Sequence, residues 1–121
     1  MESFVGEGIG IVRLALDAAI LRHQTIAANM ANVNTAGYTP LKVNFEEQLA
    51  AASFDSGKVN DLSGIQPFVE QESAPNGLTP QSAIDMEIVK LNLNTLHYQA
   101  LLKATNMYFS VANAAVTEGG R

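Results

Sequence analysis

The residues in this chain able to do chemistry are few. His23 and His97 are the only imidazoles, and Asp85 and Glu87 are the pair of carboxylates that could be read as an acid/base site. A metal site needs three or four ligands with supporting hydrogen bonds, and no His-x-x-x-His or Glu-x-x-His spacing accompanies either histidine. Both read as partly buried or interface histidines, so neither metal nor cofactor is expected. Asp85 and Glu87 stand two apart, which points them to different faces of a helix, and negative charge in a first helical turn is accounted for by the helix dipole. Gly6, Gly8 and Gly10 imitate a phosphate loop only superficially, since no strand precedes them and no Gly-Lys-Ser/Thr follows. With no Gly-x-Ser-x-Gly elbow either, no catalytic residue is assigned and no enzyme is expected.

Asparagine carries more information. Asn29 and Asn32 lie three apart on one helical flank, and Asn34, Thr35, Gly37, Tyr38 and Pro40 follow directly. Glycine takes the left-handed conformation that closes a helix, and proline lacks the amide hydrogen that a helix needs. The spacing predicts a helix ending near Asn34, with the asparagine amides holding the turning backbone.

The elements that position this exit are two long apolar repeats. Ile9, Val12, Leu16, Ala19, His23, Ile26, Met30 and Val33 step by three and four, a heptad seam. The three early glycines weaken its first turn, so the first eight residues are expected to fray. Residues 35–50 read as a turn and an extended arm. Residues 51–82, rich in Gly, Pro, Ser and Asp, read as a flexible or partner-ordered polar segment. From about residue 83 to 118 a second helix carries one stripe through Ile84, Ile88, Leu91, Thr95, Tyr98, Leu102, Thr105, Phe109, Ala112 and Val116. A second stripe runs through Val89, Leu93, Leu96, Ala100, Met107, Val111 and Ala114. Ser82 and Asp85 are its candidate N-caps, and Gly119-Gly120 mark its end. Two stripes require two partners: the N-terminal helix can cover one of them, and the other, left bare, calls for another chain. The expected fold is therefore mainly α, a single structural domain in which residues 1–34 and 83–118 pair as a coiled-coil-like hairpin around an extended or partly disordered middle.

Composition agrees. The 121 residues, 47% hydrophobic with no Trp or Cys, suit one helical domain without disulfides or thiolate chemistry. A net charge of −5 argues against nucleic acid and against an anionic membrane surface. Glu2 and Glu7 precede the first Arg, at position 13, which is not the basic lead of a secretory signal; export would use another route.

The run from Leu21 to Tyr38, and above all Asn29-Met-Ala-Asn32-Val-Asn34-Thr35-Ala-Gly37-Tyr38, resembles the N-terminal signature of the bacterial flagellar rod, hook and hook-filament junction proteins, approximately A-x-N-I-A-N-x-N-T-P-G-Y. Ile84-Asp-Met-Glu87 followed by Asn94-Thr-Leu-His-Tyr98-Gln-Ala100 resembles that family's C-terminal segment. Together these cover roughly 20–50 and 83–116. Ala36 replaces the usual Pro, Met30 the common Ile, and Thr39 a frequent basic residue; these changes touch the turn's stiffness more than the fold. The short length and the phrase Val43-Asn44-Phe45-Glu46 are most similar to the proximal rod members. The resemblance implies a non-enzymatic subunit exported through the flagellar type III apparatus without a cleaved signal. It would assemble with itself and other rod proteins into a tube in the periplasmic basal body, next to the MS ring and the hook–basal-body complex protein. On that reading Ile26, Met30, Val33, Leu91, Leu93, Leu96, Tyr98, Leu102 and Phe109 are packing and assembly residues, and the termini order fully only on assembly. No small-molecule substrate is implied. A soluble helical adaptor or export chaperone binding one partner helix is the alternative, and a small enzyme with its site in the middle segment is the third reading.

Overall fold

The computed structural model describes residues 2–56, 64–73 and 76–119. Helix α1 spans Glu2–Ala31, strand β1 Leu41–Asn44, helix α2 Glu46–Ser56, strand β2 Phe68–Gln71 and helix α3 Pro80–Gly119. The fold is mainly helical, and α1 packs against α3 as the arms of a hairpin. Their antiparallel register is fixed by two contacts. Asn94 Nδ2 donates to the Ala19 carbonyl at 2.8 Å, and near the other end Gly8 faces the ring of Tyr108, where an added Cβ would lie 2.5 Å away. Gly8 thus serves close helix approach, and the helix starts at Glu2 despite its glycines.

On another side α1 meets the strands. Ala18, Val43, Phe45 and Ile65 form a buried apolar cluster, with Leu14, Ala15, Leu21, Leu49 and Ala52 packed around it. β1 and β2 pair antiparallel, Leu41 opposite Gln71 and Asn44 opposite Phe68. A two-stranded ribbon is marginal alone, and here the α1 face supplies its hydrophobic floor. The helix that needs two partners is therefore α1 as well as α3.

Four expectations are corrected. The first helix ends at Ala31, three residues before Asn34: Asn32 N still makes the helical bond to Ala28 O, at 3.1 Å, but Val33 N turns to Met30 O and Thr35 N to Asn32 O, the i to i−3 spacing of a turn. The extended arm is extended only over Leu41–Asn44 and then becomes α2. Residues 51–82 include the end of α2 and all of β2; residues 57–63 and 74–75 lie outside the described part. The N-cap of α3 is neither Ser82 nor Asp85 but Thr79, whose Oγ1 accepts Ser82 N at 3.1 Å and leaves Pro80 at the first helical position, where its missing N–H costs nothing.

The covered seam of α3 coincides with neither apolar stripe. The covered side follows Ile84, Leu91, Thr105 and Ala112 together with Glu87, Asn94, Leu101 and Tyr108, every one buried or half-buried. The first stripe has Ile88, Thr95, Leu102, Phe109 and Val116 in place of the second set, and all five are exposed. Choosing hydrophobic residues misses the seam, because its true members include a carboxylate and an amide.

Candidate functional site

The turn after α1 is organised by one side chain. Asn29 is 5% exposed. Its Nδ2 donates to Leu41 O at 2.9 Å, and its Oδ1 accepts both Leu41 N at 2.9 Å and Tyr38 Oη at 2.7 Å. An amide carries a donor and an acceptor side by side, as a peptide does, so Asn29 pairs with both backbone groups of Leu41 like a neighbouring strand. Leu41 is the residue where β1 begins, so the clamp sets where the ribbon leaves α1. Between them Thr35 Oγ1 donates to Asn32 Oδ1 at 3.1 Å, Thr35 N bonds Asn32 O at 2.9 Å, and Tyr38 N bonds Thr35 O at 3.2 Å. Gly37 at φ 78° makes the reversal in the left-handed region that favours glycine. Asn34 is exposed and takes no part in these bonds.

Gln48 of α2 repeats the device. Its Nε2 donates to Gln66 O at 2.9 Å and its Oε1 accepts Gln66 N at 3.2 Å, tying the approach to β2 onto α2.

Across α1 lies the polar seam. Glu87 is 7% exposed and Asn94 5%. Lys90 Nζ reaches Glu72 Oε2 at 3.2 Å and Glu87 Oε1 at 3.3 Å, joining α3 to the segment after β2. Burial draws the Lys90 ammonium down, but the hydrogen bond to Glu72 and the charges of Glu87 and Glu72 outweigh it, so its pKa is raised. The Tyr38 hydroxyl is likewise raised, first by burial and then by the Glu87 charge, which places the turn within electrostatic reach of the seam. Arg22 hydrogen-bonds Glu46 on the facing side of α1. A cavity of about 270 Å³ opens between α1, β1 and α3, with Ile26, Val43, Glu87, Leu93, Asn94 and His97 among its lining residues.

The reading of Asp85 and Glu87 as first-turn charges is corrected: α3 begins at Pro80 and has no acidic residue in its first turn, and Glu87 is buried in the seam instead. Asn94 has no role from sequence beyond its place in the family-like segment. Both histidines are exposed, His23 in a groove with Tyr98 and His97 at the mouth of the cavity, and they do not come together. Among the described residues no group of His, Asp and Glu is placed to hold a metal ion, and no helix is long and apolar enough to cross a membrane.

Of the residues expected to pack or assemble, Ile26 is buried and Met30, Val33 and Leu91 are half-buried. Leu93, Leu96, Leu102 and Phe109 are 42% to 61% exposed, and Tyr98 is 37% exposed. Neither stripe is covered as a whole: both contribute to the outer surface of α3, with Met107 at 69% the most open of its large central residues. Monomers seldom leave so many large apolar residues of one helix exposed unless something covers them. Comparisons with protein-family models, curated proteins and solved structures give no significant match for this chain.

Proposed function

We propose that this chain is a structural subunit of the bacterial flagellar rod, assembling helically with copies of itself and related rod proteins around an export channel. The observation that carries the reading is the exposed apolar surface of α3, running from Ile88 past Phe109 on the side that α1 leaves open. It stands beside a turn motif whose Asn29, Asn32, Thr35, Gly37 and Tyr38 resemble the axial-protein signature. A face of this kind repeated through a rotation that does not close generates a filament or tube. Ordering terminal helix costs about 1 to 2 kcal/mol per backbone residue, so packing between subunits would complete the order of the termini. The MS ring, the hook–basal-body complex protein and the type III export apparatus are the partners this role brings, and torque transmission, with no catalysed reaction, is its mechanism.

An in-frame deletion in the host tests it. Loss of swimming and of a rod above the MS ring in isolated basal bodies, both restored by the intact gene, is the expected result. A motile strain with complete rods would instead leave the helical adaptor reading, in which a single partner helix covers the same face.

A further inference from the structure

Two buried oxygens on the covered side of α3 have no hydrogen-bond partner within the chain, Glu87 Oε2 and Asn94 Oδ1, and both residues line the cavity between α1, β1 and α3. Leaving such acceptors unmet is costly, about 1 to 3 kcal/mol each. Both are acceptors, so what satisfies them brings N–H or O–H groups. The charges nearby favour a cation. Arg22 is matched by Glu46 and Lys42 by Glu70, whereas the single Lys90 ammonium serves two carboxylates, Glu72 and Glu87, leaving one negative charge at that end. Ile26, Leu41, Val43 and Leu93 supply apolar wall to the same cavity, the surroundings that suit the aliphatic stem of a long basic side chain. Seven residues of helix separate the two acceptors by about 10 Å along the axis, so a ligand meeting both carries a second donor some way from its charged head.

We infer that this cavity binds a guanidinium or ammonium head on an aliphatic stem, with the head on Glu87 Oε2 and a second N–H group, further along, on Asn94 Oδ1. That is the chemistry of an arginine or lysine residue within a peptide. The inference does not depend on the rod reading. A second copy of the chain is one source, since Arg13 and Lys103 are both exposed; a basic segment of another protein is the other.

The test is a titration of the full-length chain followed by the Asn94 side-chain amide signals in nuclear magnetic resonance. The probes are Nα-acetyl-arginine amide and Nα-acetyl-citrulline amide, which share a shape but differ in charge. Saturable shifts with the arginine probe, at least tenfold weaker binding of the citrulline probe, and loss of that preference in Glu87→Gln are expected. Equal binding of the two probes, or no saturable change at Asn94 because water alone meets these oxygens, would overturn the site. The probe pair on the unaltered chain decides the matter even should Glu87→Gln fail to fold. Sedimentation then identifies the source. Self-association reversed by the arginine probe and abolished by Arg13→Gln with Lys103→Gln supports a second copy, and probe binding without that effect supports another chain.

Discussion

Asn29 and Asn94 are the same residue at the same 5% exposure, on the two helices of one hairpin, yet they do different work. Asn29 has its donor and acceptor both engaged, by Leu41 and Tyr38. Asn94 spends its NH2 group on the Ala19 carbonyl and leaves its oxygen unmet. Burial by itself therefore does not say how much a polar side chain stabilises a fold. What decides is which groups would be stranded if it were removed.

Replacing Asn29 should produce the largest effect. Asn29→Ala strands the N–H and C=O of Leu41 and the Tyr38 hydroxyl at once, and should cost about 3 kcal/mol or more. Urea unfolding followed by circular dichroism measures it; a loss below about 1 kcal/mol would mean that water replaces the clamp freely. Gln48→Ala removes the same two-bond geometry, but against Gln66, which is exposed. Solvent can then take over, and a cost of about 1 kcal/mol is expected. Similar losses in the two variants would show that geometry rather than burial sets the value of such a clamp.

Asn94→Leu sharpens the contrast from the other side. It removes an unmet oxygen together with one hydrogen bond, and the Ala19 carbonyl it frees lies inside α1, where the helix already provides an N–H. The expected change in unfolding free energy is within about 1 kcal/mol of zero. A loss matching that of Asn29→Ala would end the distinction between the two asparagines.

Alkaline titration probes the place where the two regions meet. Lys90 and Tyr38 both have pKa values raised in the fold, from ordinary values of 10.5 and 10.0. A raised folded pKa means that the native state holds its proton more tightly, so this stability is fully present below about pH 10 and is lost as pH rises through the folded values. The melting temperature should fall more steeply above pH 10 in the unaltered chain than in Lys90→Met with Tyr38→Phe. Parallel curves would show that neither group is linked to folding.

How much of this was legible in the sequence follows from the kind of interaction involved. The long helices, their pairing and the helix exit are local or periodic properties, visible as the Ile9 to Val33 repeat and as asparagines running into Gly37. The α3 seam was not legible because a search for apolar residues passes over Glu87 and Asn94, whose burial depends on Lys90 and on a carbonyl 75 residues away in sequence. The β1–β2 pairing was not legible for the same reason. Four-residue strands carry almost no periodic signal, and what holds these two is the amide clamps of Asn29 and Gln48 and the α1 surface.

The smallest effect on stability is expected on the outer face of α3, and there it is the absence of an effect that carries weight. Leu96→Asp with Met107→Asp, and Leu102→Asp with Phe109→Asp, change exposed residues of α3. Surface substitutions away from packing and caps usually stay within about 0.5 kcal/mol each, so both pairs should leave the melting transition of the isolated subunit nearly unchanged. Assembly is where they should act, because a charge placed in a buried interface between subunits has no partner. Each pair should abolish swimming in the host while the subunit remains folded and abundant. If either pair unfolds the isolated chain, its residues belong to the hairpin core after all; if both leave swimming intact, the exposed face of α3 is not the surface through which this protein works.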